Sequence, residues 1–267
     1  MSGAARVVVE GLTKSFFDEG RGEVQAVRGI DFTCHEGEIF GLLGANGAGK
    51  TTTLRMLSTI LEPSGGRAAL MGHDVRSAPE LVRRSLGFYS ASTALYPRLT
   101  ARETIEFFAR INRYPREQVA ARVDSLIRRF GITEFADARV DKLSSGMKQK
   151  VSLARTMAHD PPILIFDEPT VGLDVLNALE LQKMIQELRD EGKTVLFSTH
   201  IMSEAERLCD RIAIIHRGEI LTCDTLEGLR EATGCRYLED IFVRFVQAGE
   251  GGEAADELAT VDLESGS

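Results

Sequence analysis

The chain has 267 residues, which is long enough for one large domain or for one domain with an inserted subdomain. Its hydrophobic content of 43% and its charged content of 27% are typical of a soluble globular protein. The formal net charge of −8 argues against a broad nucleic-acid surface, and the sequence has no apolar run of about 18 residues that would predict a membrane span.

The cysteines and histidines show no metal-ligand spacing. Cys34, Cys209, Cys223 and Cys235 are widely separated and form no CxxC pair, so we expect reduced thiols in the cytosol. The five histidines form no HxxxH or HExxH pattern, and we therefore predict no transition-metal site.

The first 90 residues alternate strand and helix patterns around a glycine-rich turn. An apolar strand, Glu38–Gly44, runs into glycines and is followed by the helical sequence TTTLRMLSTIL. A strand, a glycine-rich turn and a helix in this order form a phosphate-binding unit. Further strands are predicted at Arg6–Glu10, Val24–Phe32, Arg67–Met71 and Leu86–Tyr89.

The glycine-rich turn, GANGAGKT at residues 44–51, fits the pattern G-x-x-x-x-G-K-[ST]. Its glycines allow backbone N–H groups to turn inward around phosphate oxygens, and the helix that follows adds a partial positive charge. Lys50 can reach the β- and γ-phosphates, and Thr51 can bind Mg²⁺. The alternative is a chance match, but the strand before the motif and the helix after it favour nucleotide binding.

The segment from about residue 90 to 160 is predicted to be helical. Thr100 and Glu103 form a capping box that opens the helix ARETIEFFARIN. Pro115 starts a second helix, which Gly131 ends, and SGMKQKVSLARTMAH is a third.

The start of the third helix offers two interpretations. Ser144, Ser145 and Gly146 would leave free N–H groups at a helix N-terminus, which is an anion site. The residues alone favour simple N-capping by Ser144 or Ser145. Because the segment is far from Lys50 in sequence, a phosphate bound here could be that of a second copy.

The strand–helix alternation resumes after the helical segment. PILIFDE and TVLFST are predicted as buried strands, and RIAIIHRGEILTCD as a hairpin that turns near Arg217-Gly218. The helix between the two buried strands ends at Gly192, and its apolar face consists of Leu181, Met184, Ile185 and Leu188.

Three ionisable residues follow the two buried strands. Asp167 lies where a Mg²⁺ ligand is needed, and Glu168 lies where a carboxylate can orient and deprotonate water. His200 ends the next strand, and the carboxyl ends of parallel strands meet at one sheet edge. The alternatives are solvated acids and a histidine with a structural hydrogen bond, but the phosphate-binding turn favours a γ-phosphate sensor at His200.

The architecture predicted from these elements is an α/β fold with a mostly parallel core sheet and an all-helical insert at about 90–160. We expect one domain over residues 6–245. Residues 247–267 are acidic and nearly free of aromatic side chains, so we predict a disordered tail.

The chain resembles the ATP-binding subunits of ABC transporters over residues 6–245. The resemblance depends on GANGAGKTT, LSSGMKQK, ILIFDEPTVGLD and FSTH, in that order and at suitable spacing. It implies a P-loop NTPase fold with an antiparallel β lobe and an inserted helical subdomain. GFYSASTALYPRLT, GMKQK and LEDIF look most like the NatA-type sodium-efflux ATPases, and more broadly like ATPases of small export permeases with six helices.

The resemblance implies a role for each motif residue. Phe16 would stack on adenine, Thr51 and Asp167 would hold Mg²⁺, and Glu168 and His200 would be the catalytic base and the switch histidine. The Walker A loop would bind the phosphates, and the signature segment (Ser144, Ser145 and Gly146) would close over the ATP of the opposite subunit. The Walker A residues are Gly44, Asn46, Gly47, Gly49, Lys50, Thr51 and Thr52.

The chain departs from the family pattern at Ala91, where a glutamine amide usually contacts Mg²⁺ and the attacking water. Ser90, Ser92 and Thr93 flank this position, and a hydroxyl can both donate and accept a hydrogen bond. We therefore hypothesise an active ATPase with a modified coupling loop. The resemblance also suggests that nearby aromatic and apolar side chains line a groove for a permease helix, although packing in the chain's own core explains any one of them equally well. These side chains are Phe88, Tyr89, Leu95, Tyr96 and Phe107.

We thus expect an ATPase subunit of an ABC export system, dimerising around two Mg·ATP and driving a separate integral membrane permease, with sodium as a candidate cargo. Its partners would be a second copy and the permease, with no nucleic acid, and it would work on the cytoplasmic face of the membrane. The alternatives are a soluble ABC ATPase with a regulatory or assembly role and, less favoured, a purely structural nucleotide-binding protein.

Overall fold

The computed structural model describes residues 3–20, 22–90 and 93–250. Within these ranges the chain forms a four-stranded sheet and a six-stranded sheet. The strands are β1 (Ala5–Asp18), β2 (Gly22–His35), β3 (Ile39–Leu43), β4 (Gly65–Leu70), β5 (His73–Asp74), β6 (Leu86–Ser90), β7 (Ile163–Asp167), β8 (Thr194–Thr199), β9 (Arg211–His216) and β10 (Glu219–Asp224). The α-helices are α1 (Lys50–Leu57), α2 (Pro79–Ser85), α3 (Ala101–Ile111), α4 (Val119–Arg129), α5 (Ser145–Thr156), α6 (Val175–Asp190), α7 (Met202–Leu208), α8 (Leu226–Thr233) and α9 (Leu238–Glu250).

The six-stranded sheet has the order β10-β9-β3-β8-β7-β6 and is parallel except for β10. Its central strands are buried on both faces, which explains their continuous apolar runs. The predicted hairpin of β9 and β10 is confirmed. Arg217 and Gly218 form its turn with φ of 47° and 85°, as a two-residue turn of this kind requires.

The four-stranded sheet has the order β2-β1-β4-β5 and is antiparallel. The predicted strands at 6–10 and 24–32 are the inner parts of two longer strands. A register shift between Val9 and Leu12 interrupts their pairing, and Gly11 has a φ of 52° at this point. The bulge therefore hides the continuity of β1 from a simple alternation pattern.

Side chains on opposite faces of the six-stranded sheet enter different cores. Leu42, Ile165 and Leu196 pack against the four-stranded sheet and α1. Leu164 and Phe197 on the other face pack against the helical segment and α6. Because side chains alternate along a strand, the six-stranded sheet lies between the four-stranded sheet on one face and the helical segment on the other.

The helices α3, α4 and α5 lie between β6 and β7 in the chain. The predicted capping box is confirmed, since the Thr100 side chain accepts from the Glu103 backbone and the Glu103 side chain accepts from Thr100. The helix predicted after Pro115 begins as a 3-10 turn at Arg116–Gln118 before α4, and Gly131 follows with a φ of 61°.

Two features differ from the sequence prediction. The short strand β5 and the helices α2, α7, α8 and α9 were not predicted. Helix α9 runs to Glu250, so the predicted disorder from residue 247 is wrong for the first four residues of that segment. Ile241 is buried and Phe245 packs beside it, which anchors this helix despite the acidic composition that follows. The rest of the predicted tail lies outside the described residues.

Among the residues that the structure describes, no helix is both long enough and apolar enough to cross a membrane.

Candidate nucleotide site

The glycine-rich loop connects β3 to α1 and approaches other backbone segments closely. A Cβ atom at Gly44 would lie 2.3 Å from the Ile215 carbonyl oxygen. A Cβ atom at Gly49 would lie 2.8 Å from the Ala26 carbonyl oxygen, and Gly49 has a φ of 109°. A side chain would clash with backbone at either position, and the positive φ of Gly49 also favours glycine. The loop therefore packs closely against other backbone segments beside a small cavity.

Lys50 is the first residue of α1 and is 4% exposed. Its ammonium donates to the carbonyl oxygens of Gly44 at 2.7 Å and Ala45 at 3.1 Å. It also lies 3.2 Å from Glu168 Oε1. The loop therefore folds around a lysine whose charge faces the end of β7.

Asp167 ends β7 and accepts two hydroxyl hydrogen bonds on the same oxygen. Thr51 Oγ1 donates to Asp167 Oδ1 at 3.0 Å, and Ser198 Oγ donates to it at 2.8 Å. Thr51 comes from α1 and Ser198 from β8, so one carboxylate connects three elements.

Glu168 follows Asp167 in a left-handed backbone conformation, with a φ of 46°. Its N–H donates to the Ser198 hydroxyl at 3.0 Å and lies 3.2 Å from the Ser198 carbonyl oxygen. Glu168 Oε1 also lies 3.3 Å from Nδ1 of His200. The parallel pairing of β7 with β8 thus brings both acids and the histidine together, as their positions after neighbouring strands predict. We call Thr51, Asp167, Glu168, Ser198 and His200 the strand-end cluster.

The loop and Glu168 line a cavity of about 170 Å³. Asn46, Gly47, Gly49, Lys50, Thr51, Thr52 and Ala26 complete its lining. Phe16 is not among these residues; it is 42% exposed on β1, where Lys14 Nζ lies 5.1 Å from its ring centre. Phe16 pairs with Val24 of β2, and Ala26, also on β2, lines the cavity. The aromatic ring therefore lies on the sheet that borders the loop.

The signature segment lies at the start of α5 in a different environment. Ser144 is the N-cap, and its hydroxyl accepts from the Met147 N–H at 3.3 Å, so the capping interpretation is correct for this residue. Ser145 and Gly146 are exposed and line a second cavity of about 610 Å³, together with Gly172 and Asp174. The two cavities share no lining residue, so within one copy the signature segment does not line the cavity around Lys50.

The loop with the missing glutamine lies partly outside the described residues, which exclude Ala91 and Ser92. Ser90 ends β6, and its carbonyl oxygen accepts from the Thr93 N–H at 3.0 Å. Both Ser90 and Thr93 line the second cavity.

The suggested aromatic groove divides into core and surface residues. Tyr89 is 3% exposed and packs against Phe166 with ring centres 5.9 Å apart, so it belongs to the core. Phe88 and Leu95 also pack against buried residues. Tyr96 and Phe107 are 53% and 39% exposed and meet edge to face at 5.7 Å.

Two polar residues near the site were not assigned roles from the sequence. Ser198 is fully buried and links the two acids, and Glu204 binds the hydroxyl of Thr199 next to His200. A hydroxyl near the end of an apolar strand was a visible signal for Ser198. Glu204 carried no comparable signal, because its contacts depend on how α7 packs.

Known proteins are similar to this chain in sequence. A profile of the family described as "ABC transporter" matches residues 27–171. The chain is 42% identical over 228 residues to the ABC transporter ATP-binding protein NatA of Bacillus subtilis (strain 168), covering 85% of this chain and 93% of NatA. It is 34% identical over 262 residues to the daunorubicin resistance ATP-binding protein DrrA3 of Streptomyces coeruleorubidus, covering 97% of this chain and 80% of that one.

A solved structure agrees with the fold. An ATP-binding cassette, determined as a dimer in a post-hydrolysis state with ADP and Pi, superposes with a TM-score of 0.74 at 26% identity. The match covers 82% of this chain and 98% of the other. The sequence motifs, the sheet order and these similarities agree: the chain belongs to the ATP-binding subunits of ABC transporters, and it is an ATPase.

Proposed function

We propose that this chain powers an export system: two copies enclose two Mg·ATP between them and drive a separate membrane permease. The observation that carries the proposal is the separation of the two cavities within one copy. The loop around Lys50 and the exposed signature segment each supply part of a nucleotide site, and a second copy is needed to bring such parts together.

The loop and α1 would bind ATP. The backbone of Gly44 to Thr52 and the positive N-terminus of α1 suit a triphosphate, and Asn46 lines the same cavity. Lys50 would exchange its contact with Glu168 for a phosphate oxygen. Phe16 would stack on the adenine through one face of its ring, and Lys14 Nζ lies over that ring, 5.1 Å from its centre.

The residues beside the loop fit Mg²⁺. Thr51 Oγ1 and Asp167 Oδ1 are hard oxygen donors 3.0 Å apart, which is the ligand type that this ion prefers. Bound Mg²⁺ would neutralise phosphate charge as the terminal phosphate leaves. Ser198 would keep its hydrogen bond to Asp167 and hold that carboxylate in position.

Glu168 and His200 would carry out the proton chemistry. Glu168 would orient the attacking water and accept its proton, and its contact with Lys50 at the loop cavity supports this role. His200 lies 3.3 Å from the same carboxylate oxygen and would contact the γ-phosphate.

The signature segment would act on the nucleotide of the other copy. Ser145 and Gly146 are exposed, and the open space around Gly146 admits a close approach. A two-fold axis would give each site one loop and one signature segment, since each copy offers the same two surfaces. The solved relative that is a dimer with ADP and Pi supports this arrangement.

The permease partner and the cargo are proposed from the relatives. NatA and DrrA3 are named as ATP-binding proteins of an ABC transporter and of daunorubicin resistance. The exposed pair of Tyr96 and Phe107 offers an apolar contact for a permease helix on the cytoplasmic face of the membrane. With sodium as the proposed cargo, a reconstituted complex should move sodium and not daunorubicin with ATP; the reverse result would reassign the cargo.

The non-transport alternative makes a different prediction about partners. Pull-down of the tagged chain from its own membranes should recover a small permease of about six helices, and Tyr96→Ser with Phe107→Ser should reduce that recovery. A chain that never recovers a membrane protein, yet hydrolyses ATP, would support the regulatory or assembly role instead.

We further propose that the chain is active despite alanine at position 91. Ser90 and Thr93 flank that position with hydroxyls, and Glu168 and His200 are both present and in contact. ATP turnover of the parent chain, with its permease, should exceed that of Glu168→Gln at least about 100-fold, the range expected for loss of a general base. Equal rates would contradict an active site here.

The dimer is tested with the same variant. Glu168→Gln should bind Mg·ATP without hydrolysing it, and light scattering should then show a mass of two copies. Adding Lys50→Ala should prevent this because it removes the phosphate contact. A single-copy mass for Glu168→Gln with bound Mg·ATP would overturn the shared site.

A further inference from the structure

Glu204, on α7, is a buried carboxylate that lies behind the strand-end cluster. It is 7% exposed, and its two oxygens have different hydrogen-bond partners. Oε2 accepts from the Thr199 hydroxyl at 2.7 Å, and Oε1 accepts from the Gln182 amide at 3.5 Å. The carboxylate thus connects the end of β8 with the middle of α6.

The Thr199 hydroxyl both donates and accepts a hydrogen bond. Because a carboxylate can only accept, the hydroxyl proton must point at Glu204. The same oxygen then accepts the N–H of Ile201 at 3.0 Å. These two bonds fix the backbone on both sides of His200, whose ring contacts Glu168.

Two hydrogen bonds fix the orientation of the Gln182 side-chain amide. Its NH₂ group faces Glu204, and its carbonyl oxygen accepts from Arg207 Nη1 at 3.3 Å. Gln182 is 6% exposed and lies on α6, eight positions after Asp174, the N-cap that lines the second cavity. That distance is about 12 Å along a rigid helix, so displacement of the N-terminus of α6 also moves Gln182.

We propose that Glu204 is a positioning residue that couples α6 to His200 through Gln182 and Thr199. The inference rests on the proposed role of His200 and extends it. Asp174 lies on the surface that would face the second copy, so contact there would be transmitted to the orientation of the histidine in the same chain. Glu204 itself lines neither of the two cavities.

The first test compares single variants of the full chain, by ATP turnover and by KM. Glu204→Ala and Thr199→Val should each lower kcat about tenfold, the equivalent of one hydrogen bond of roughly 1.4 kcal/mol, and should leave KM unchanged. Thr199→Ser keeps the hydroxyl and should restore most of the rate. A rise in KM with kcat unchanged would overturn the positioning role.

A matched pair of variants tests the link between Glu204 and α6. Gln182→Met should lower kcat about fivefold, because methionine keeps the volume and removes the amide. Gln186→Met also removes an amide between α6 and α7, one turn further along, where Gln186 bonds only to the Arg207 carbonyl oxygen in the described contacts. This control should retain its rate; equal losses in the two variants would overturn the specific link.

A double mutant separates this inference from the proposed function. His200→Ala should lower single-turnover hydrolysis strongly, and adding Glu204→Ala should then cost less than twofold, since the two residues act as one unit. If Glu204→Ala still costs tenfold in the His200→Ala background, the inference fails and the role of His200 stands. If His200→Ala alone has no effect, the proposed role of His200 fails.

A spectroscopic readout checks the geometry without turnover. The imidazole C–H signal of His200, identified by its loss in His200→Gln, should shift and broaden in Glu204→Ala but not in Gln186→Met. An unchanged signal in Glu204→Ala would overturn the positioning role, and thermal melting of each variant confirms that the chain is folded.

Discussion

The strand-end cluster and the signature segment differ in how their polar groups are engaged within one copy. In the strand-end cluster, side chains from α1, β7 and β8 bind one another directly at about hydrogen-bond distance. In the signature segment, Ser144 only caps its own helix, while Ser145 and Gly146 face open space. One region is organised by the fold of a single chain, and the other is presented to something outside it.

This difference separates two kinds of mutational effect. Changes in the strand-end cluster should alter both chemistry and local stability, because the same hydrogen bonds serve both. Changes at Ser145 and Gly146 should alter activity alone, because little in the same copy depends on their side-chain positions.

The largest effect is expected for Gly146→Asp. Outside its own helix backbone and chain neighbours, no atom of the described residues lies within 4 Å of a Cβ built at this position, so the folded chain accepts the side chain without strain. In the dimer, however, a carboxylate would face phosphate, and turnover should fall about 100-fold or more, by analogy with the loss of an electrostatic contact to the transition state. The melting temperature and the affinity of a single copy for ATP should not change. A matching loss of melting temperature would show that the segment serves its own fold.

Ser198→Ala should have a smaller effect on the rate but a visible effect on stability. The variant removes a donor from the buried Asp167 carboxylate and an acceptor from the part-buried Glu168 N–H. We expect turnover to fall about tenfold, unfolding free energy to fall by about 1–2 kcal/mol, and the Mg²⁺ concentration for half-maximal rate to rise.

Ser152→Ala is the matched control for that variant. The Ser152 side chain is also buried, but its hydroxyl has no hydrogen-bond partner among the described residues. Its removal should leave both rate and stability nearly unchanged. Equal behaviour of the two variants would contradict the role given to Ser198.

The smallest effect on turnover is expected at the junction between the helical segment and the sheet, where the change is one of stability. His159 lies just beyond α5, and Nε2 contacts the Leu86 carbonyl oxygen of β6 at 3.1 Å. Burial lowers the pKa of His159 from 6.5 to about 4, with Arg122 opposing its charge and Asp160 favouring it. Protonation therefore favours the unfolded chain, so this stability is present above pH 6.5 and is lost as the pH falls toward 4.

His159→Gln removes that titration. Between pH 7 and 4.5 the parent should lose roughly 2 kcal/mol more unfolding free energy than the variant, allowing for partial solvent access to the ring. Denaturant titrations at the two pH values measure the difference. Parallel losses in both proteins would show that His159 does not titrate on unfolding.

Much of the strand-end cluster was predictable from the sequence. Asp167, Glu168 and His200 each follow an apolar strand, and parallel pairing brings such positions to one edge. The roles of Ser198 and Glu204 were not visible, because they depend on the exact register of β7 with β8 and on the packing of α7. For Tyr89 the sequence left a groove position and a core position equally open, because β6 is too short for its alternation to show which side chains are buried.

Composition misled at the C-terminal end. The acidic, small residues from 247 onward predicted disorder, yet α9 continues to Glu250. Tertiary contacts of Leu238 and Ile241 stabilise the earlier turns, and helix propagation then extends beyond them.

The central claim is that each nucleotide site combines a loop from one copy with a signature segment from the other. Complementation between two inactive chains tests it directly. Lys50→Ala and Gly146→Asp are purified separately and then mixed in equal amounts with the permease and Mg·ATP. In a mixed dimer, one site would carry both defects and the other would have none. Random pairing should then restore about a quarter of the parent turnover, while each variant alone stays inactive. No recovery from a mixture whose mixed dimers are shown to form would contradict a site shared between two copies.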